Sequence, residues 1–163
     1  MPADSHTPTE NTDARSYLRE AVLHYRPAYP QVELSEAPIC SSTDAAAILQ
    51  PMIGERMCES IVTLALDARH RPIGVHEVSR GSVSEAAVKL ADVFRYPLIA
   101  GAASMLIAHN HPSGDPEPSG DDIRFTEQLT QGATLLGLRL LDHLVITECR
   151  YSSFLDRGLL KSR

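Results

Sequence analysis

Apolar residues along this chain recur at two different spacings, and the changes from one to the other outline a mixed series of helices and strands. Near the start, Tyr17, Leu18, Ala21, Val22 and Tyr25 fall at helical intervals and predict a short amphipathic helix over residues 16–25. Pro27 and Pro30 then hold residues 26–30 extended, because each proline fixes its own φ and restricts the residue before it. Ser42, Thr43 and Asp44 precede the run from Ala45 to Leu49 and read as a capped helix start near Ser42. The partly β-branched run from Ile61 to Leu66 has strand length. Beyond the polar turn from Asp67 to Arg71, a second strand spans about Ile73 to Val78, so a hairpin is the simplest arrangement. From Glu85 onward, Ala86, Ala87, Leu90, Val93 and Phe94 return to helical spacing, and Pro97 is expected to disturb the continuation.

The second half follows the same logic. Residues Ala103 to Ala108 predict a buried strand that leads directly into His109 and His111, followed by a Pro/Gly-rich loop from Pro112 to Pro118. Ser119 is placed to cap a helix from about Gly120 to Leu136, with Gly137 as its left-handed stop. A last strand covers Leu138 to Thr147, and Ser152 to Leu160 forms a short closing segment. The first 14 or so residues are polar and rich in Thr, Asp and Pro, a composition that predicts disorder. The expected organisation is a polar tail over residues 1–41, containing the short helix, and one domain over residues 42–163.

Composition narrows the function. The 163 residues, 43% of them hydrophobic, support one sizeable core and are too few for two full domains. Acidic residues (21) outnumber basic ones (15), giving a formal net charge of -6, and no dense Lys/Arg run appears. That disfavours nucleic acid as a partner, since such affinity comes largely from cations neutralising phosphates. Cys40, Cys58 and Cys149 are odd in number, far apart and without a CxxC, so neither a disulfide framework nor a thiolate zinc cluster is indicated; buried or inert thiols are expected. The opening residues lack the basic start and apolar run of a signal peptide, and no stretch approaches the ~18 apolar residues of a membrane span. The expected location is cytoplasmic, away from any membrane.

The chemistry concentrates in H-x-H-x7-S-x-x-D. Two histidines one residue apart at a strand end project from the same side, so both imidazoles can reach one point. Ser119 and Asp122 share a face of the following helix start, and the loop between is long enough to fold that face back over the histidines. Two neutral imidazoles and a carboxylate suit zinc, leaving a fourth position for water whose pKa the ion lowers to ~7. Each part has a plainer reading too. His109 and His111 taken singly are ordinary strand-end histidines, and Ser119 with Asp122 has the form of a capping box. Capping does not call for an H-x-H upstream, and one serine can cap a helix and face a metal.

The segments HNHPSGD (109–115) and PSGDD (118–122) resemble the JAMM motif of the JAB/MPN metalloprotease superfamily, in the version found in RadC-like proteins. LALDARH (64–70), VSRG (78–81), LDH (141–143) and YSSF (151–154) are also similar to RadC-family segments, so the resemblance spans roughly residues 42–160. It implies an α/β (α+β) fold, a curved mixed β-sheet flanked by helices and similar in outline to zinc deaminases. It implies His109, His111 and Asp122 as Zn2+ ligands, Ser119 as a hydrogen-bond donor near the water or oxyanion, and an upstream glutamate as acid/base. Of Glu55 and Glu59, Glu59 fits better because it immediately precedes the strand starting at Ile61. Longer RadC-like proteins carry an N-terminal helix-hairpin-helix region associated with DNA, for which the first 42 residues here are too few and too polar.

These readings lead to a zinc-dependent hydrolase acting on an amide, with a protein or peptide substrate, isopeptide-linked by superfamily analogy. A nucleobase deaminase would share the fold outline but requires H-x-E and P-C-x-x-C, which are missing. The rival from another class is a DNA-repair or mobile-element accessory binding module whose metal site is structural or vestigial. Asp142 and His143 lie in the last predicted strand and point to opposite faces, so at most one supports the site. Arg69 and His70 read as turn residues, and His76 as a satisfied strand histidine.

Overall fold

The computed structural model of the chain describes Tyr25 and residues 37–81 and 88–160. The expected helix over residues 16–25 and the helical positions Glu85, Ala86 and Ala87 therefore lie outside the described residues except for Tyr25, which is exposed; of the expected tail over residues 1–41 the last five are also described, and Ile39 among them is buried in the core. The elements run α1 (Ser42–Ile53), β1 (Ser60–Leu66), β2 (Pro72–Arg80), α2 (Leu90–Ile99), β3 (Ser104–Asn110), α3 (Gly120–Leu135), β4 (Arg139–Ile146) and β5 (Tyr151–Ser153). The strands form one mixed sheet in the order β2-β1-β3-β4-β5. The hairpin β1–β2 is antiparallel, as are β1–β3 and β4–β5, while β3 and β4 are parallel. A parallel pair needs a crossover, and α3 supplies it.

Alternation along the strands sorts side chains onto two faces. Leu64, Leu66, Leu106, Ala108, Leu144 and Ile146 pack with α1 on one. Ile61, Met105 and Ile107 pack with Val93 and Phe94 of α2 and with Phe125, Leu129 and Ala133 of α3 on the other. The two helices on this second face approach closely at Gly132, where an added Cβ would lie 2.8 Å from the Phe94 ring.

Helix ends follow local chemistry. The cap of α1 is Ser41, one residue before the expected start, and its hydroxyl accepts from the Asp44 N–H. Helix α3 opens on a full capping box, and Gly137, at φ 71, makes the left-handed turn that releases the chain into β4. Helix α2 departs from expectation at Pro97, which lies inside the helix and not beyond its end. Only Leu98 and Ile99 follow it, so the missing N–H falls in the closing turn, and the buried ring packs inward.

A second departure is less visible from sequence. In the β3–β4 ladder Met105 pairs with Leu140 but Leu106 pairs with Asp142, leaving Leu141 as a bulge. The extra residue reverses the alternation beyond it, so Leu141 packs with the α1 side and His143 turns towards α3. Of the buried or inert thiols expected, none is buried: Cys40, Cys58 and Cys149 are free, in keeping with the lack of a disulfide framework, but all three are exposed, because each sits in a connection and not in a packed element. Among the described residues no helix is long and apolar enough to cross a membrane.

Candidate metal centre

His109 is buried near the end of β3, and His111 follows just beyond the strand with its ring centroid 4.8 Å from that of His109. The next loop is held in place by the Arg150 guanidinium, which donates to the Gly114 carbonyl at 2.6 Å, and by the paired hydrogen bonds of Arg157 to Glu117. It brings the start of α3 back over the histidines. One ligand atom from each of His109, His111 and Asp122 then lies within 4.8 Å of the others.

The separations suit a small cation. Nε2 of His109 is 2.9 Å from Nε2 of His111 and 3.2 Å from Oδ1 of Asp122, and Nε2 of His111 is 3.6 Å from Oδ2 of Asp122. Ligands about 2.0–2.1 Å from a tetrahedral ion stand roughly 3.3 Å apart, within this spread. The donors also point correctly. Nδ1 of His111 lies 2.8 Å from the Asp115 carbonyl, which can only accept, so the ring hydrogen sits on Nδ1 and the Nε2 lone pair faces inward. Asp122 is fixed through Oδ2, which accepts from the Ser119 N–H at 2.7 Å and from the Ser119 hydroxyl at 2.6 Å.

Electrostatics mark the same point. Burial pushes the Asp122 carboxyl up, but the His109 and His111 imidazoles beside it and the hydrogen bond from Ser119 outweigh it and hold the group well below the usual carboxylate range. Asp122 in turn raises His111 against the effect of burial, with the Asp115 carbonyl and the Glu59 charge acting in the same direction. A carboxylate held ionised beside two converging imidazoles is a place for positive charge, whether a metal ion or a competing proton.

Glu59 reaches this site from fifty residues upstream. It is half-buried and lines the same cleft of about 380 Å³ as His109, His111, Ser119 and Asp122, with Ile61, Val88 and Phe125 as an apolar wall. Glu55, the other candidate, is exposed and does not line it. What holds Glu59 is Asn110, the middle residue of H-x-H. Its buried amide accepts from the Ser60 N–H at 2.8 Å and donates to the carbonyls of Arg56 and Cys58 at 3.1 and 3.2 Å, clamping both sides of Glu59. Sequence reasoning passed over Asn110; a polar residue between two candidate ligands was the available signal. Ser119 occupies the cap and the cleft together, with its hydroxyl hydrogen engaged by Asp122.

Of the adjacent pair in β4, His143 turns to the site. Its Nε2 is 2.8 Å from Nδ1 of His109 and its Nδ1 is 2.6 Å from the Thr126 hydroxyl. Burial keeps His143 well below the ordinary imidazole value, and His109 adds to that effect. Asp142 faces away, accepting from the Ser153 hydroxyl and from the N–H groups of His143 and Leu155. His70 occupies a left-handed turn position at φ 59, and His76 lies against the Tyr96 ring.

The profile of a family described as "RadC-like JAB domain" matches residues 39–159. Curated relatives called "UPF0758 protein" include one from Methanosarcina acetivorans, 40% identical over 130 residues (80% of this chain and 57% of the relative). Another, from Stenotrophomonas maltophilia, is 40% identical over 149 residues, covering 90% of this chain and 64% of the relative. A third, from Neisseria meningitidis, is 39% identical over 129 residues, 78% of this chain and 57% of its own length. The chain thus matches about three-fifths of the length of these relatives.

Proposed function

The chain belongs to the RadC-like JAB domain family, and from that premise we propose that it is a zinc-dependent hydrolase of amide bonds in a peptide or isopeptide-linked protein. The observation that carries the proposal is the convergence of His109, His111 and Asp122 with the half-buried Glu59 facing the same cleft. Zinc held by those three side chains would supply a Lewis acid and bring the pKa of water to about 7. Glu59, a half-buried acidic side chain in the cleft wall, takes a proton from the attacking water and returns it to the leaving nitrogen, whereas Asp121 in the same lining is exposed and paired with Arg124. That transfer completes the balance: water adds OH to the carbonyl carbon and H to the nitrogen as the C–N bond breaks.

Ser119 is the proposed donor to the developing oxyanion, which requires its hydroxyl hydrogen to turn from Asp122 Oδ2. Ile61, Val88 and Phe125 give the cleft an apolar wall, beside which these electrostatic interactions are stronger than in bulk water. A protein or peptide partner fits the acidic chain better than nucleic acid does. Three exposed, unpaired cysteines suit a reducing compartment, which supports a cytoplasmic site of action.

The test is Glu59→Gln in the zinc-loaded protein, assayed on linear and isopeptide-linked substrates. The expected outcome is retained zinc with hydrolysis lowered by roughly 10²–10⁴-fold, and no such loss in Glu55→Gln. Turnover that survives in Glu59→Gln would remove Glu59 from the chemistry.

A further inference from the structure

A chain of hydrogen bonds runs from one metal-facing residue to the backbone of another without passing through the metal position. Nδ1 of His109 is 2.8 Å from Nε2 of His143, Nδ1 of His143 is 2.6 Å from Oγ1 of Thr126, and that oxygen is 2.6 Å from the carbonyl oxygen of Asp122. His143, Thr126 and the His109 ring are buried, so water does not complete these bonds.

Only one order of hydrogens fits. Two oxygens 2.6 Å apart must share a hydrogen, and the Asp122 carbonyl has none, so the Thr126 hydroxyl donates to it. Thr126 has then spent its one hydrogen and must accept from Nδ1–H of His143. A neutral His143 with its hydrogen on Nδ1 has a bare Nε2, which accepts from Nδ1–H of His109. Nε2 of His109 is left outside the chain, 2.9 Å from Nε2 of His111 and 3.2 Å from Asp122 Oδ1; without a metal the two Nε2 atoms share one further proton, which leaves the order along the chain unchanged. The reverse order would place a hydrogen on Nε2 of His109, where a metal would bind.

We infer that Thr126 and His143 are positioning residues that hold His109 in the one tautomer able to ligate a metal, with the Asp122 carbonyl setting the direction of the chain. This rests on the metal-centre reading for its purpose, though not for the hydrogen order itself. The bulge at Leu141 is what brings His143 into line, and the i, i+4 spacing of Asp122 and Thr126 on α3 closes the chain onto a second ligand residue.

Thr126→Val tests it, because the change nearly preserves shape, lies away from the ligand atoms and removes only the hydroxyl. Without that hydroxyl, Nδ1 of His143 has no acceptor, and the favoured order reverses so that Nε2–H of His109 donates to Asp122. The measurement is the ring 15N spectrum of histidine-labelled, metal-free protein, paired with a zinc titration. Wild type and Thr126→Ser are expected to show His109 with its hydrogen on Nδ1. Thr126→Val is expected to show it on Nε2 and to bind zinc about 10–100-fold more weakly. The inference is overturned if Nδ1 of wild-type His109 carries no hydrogen, or if Thr126→Val keeps both the wild-type hydrogen on Nδ1 and the wild-type zinc affinity. The wild-type spectrum decides by itself should the valine variant fail to fold. Because it is recorded without metal, a wild type that bound no zinc would sink the metal centre while the hydrogen order was still read.

Discussion

Strands β3 and β4 present two faces built from the same backbone and buried to a similar degree, yet the faces differ in kind. Towards α1 they show Leu106, Ala108, Leu144 and Ile146, all apolar with 0–2% of their surface exposed, and beside Leu106 the buried Asp142, whose carboxylate is met by the Ser153 hydroxyl and by backbone N–H groups. Towards α2 and α3 they combine the apolar Met105 and Ile107 with the imidazoles of His109 and His143. Polar side chains cost stability when buried unless their hydrogen bonds are met, and here the two imidazoles satisfy one another and Thr126. Around Leu106, Ala108, Leu144 and Ile146 the first face is organised by contact area and tolerates changes of identity at the cost of cavities. The second is organised by where individual hydrogens sit, so single atoms decide its behaviour.

The most direct way to break this contrast is to substitute on both faces and read stability and metal separately. Leu144→Ala should lower unfolding free energy by about 2–5 kcal/mol in a denaturant titration. Its zinc stoichiometry should stay at one per chain by metal analysis. Asp122→Asn should do the reverse, losing zinc while the folded domain persists. Loss of zinc in Leu144→Ala, at a temperature where the domain remains folded, would show that the two faces are not separable.

A smaller effect sharpens the comparison where structure and chemistry meet in one residue. Ser119 caps α3 and also faces the cleft. As a cap, Ser119→Ala should cost about 0.5–2 kcal/mol, and Ser119→Gly only a few tenths. As an oxyanion donor, its loss should lower turnover by a similar large factor in both variants. Turnover that follows the stability series, with glycine close to wild type, would leave Ser119 with the cap alone.

Much of this architecture is legible in the sequence because local rules and tertiary packing agree. The apolar run from Ile61 to Leu66, the turn before Ile73, the cap at Ser119 and the stop at Gly137 each state their structure in their own residues. The H-x-H and S-x-x-D spacings likewise bring their side chains together with nothing more than a strand end and a helix start. Features that depend on a partner elsewhere in the chain could not be read this way. The bulge at Leu141 leaves no mark in a strand that is apolar on both sides, so sequence could say that Asp142 and His143 diverge but not which one meets His109. Thr126 reads as an unremarkable helix residue until β4 places an imidazole against it. Pro97 misleads because a helix stop and a proline in a closing turn have the same local signature.

Anomalous diffraction at the zinc edge from crystals of zinc-saturated protein decides whether His109, His111 and Asp122 form one metal centre. A single strong peak per chain is expected, about 2.0–2.2 Å from Nε2 of His109, Nε2 of His111 and a carboxylate oxygen of Asp122. Zinc-saturated crystals with no peak among these three side chains, or with the side chains turned apart, would contradict it.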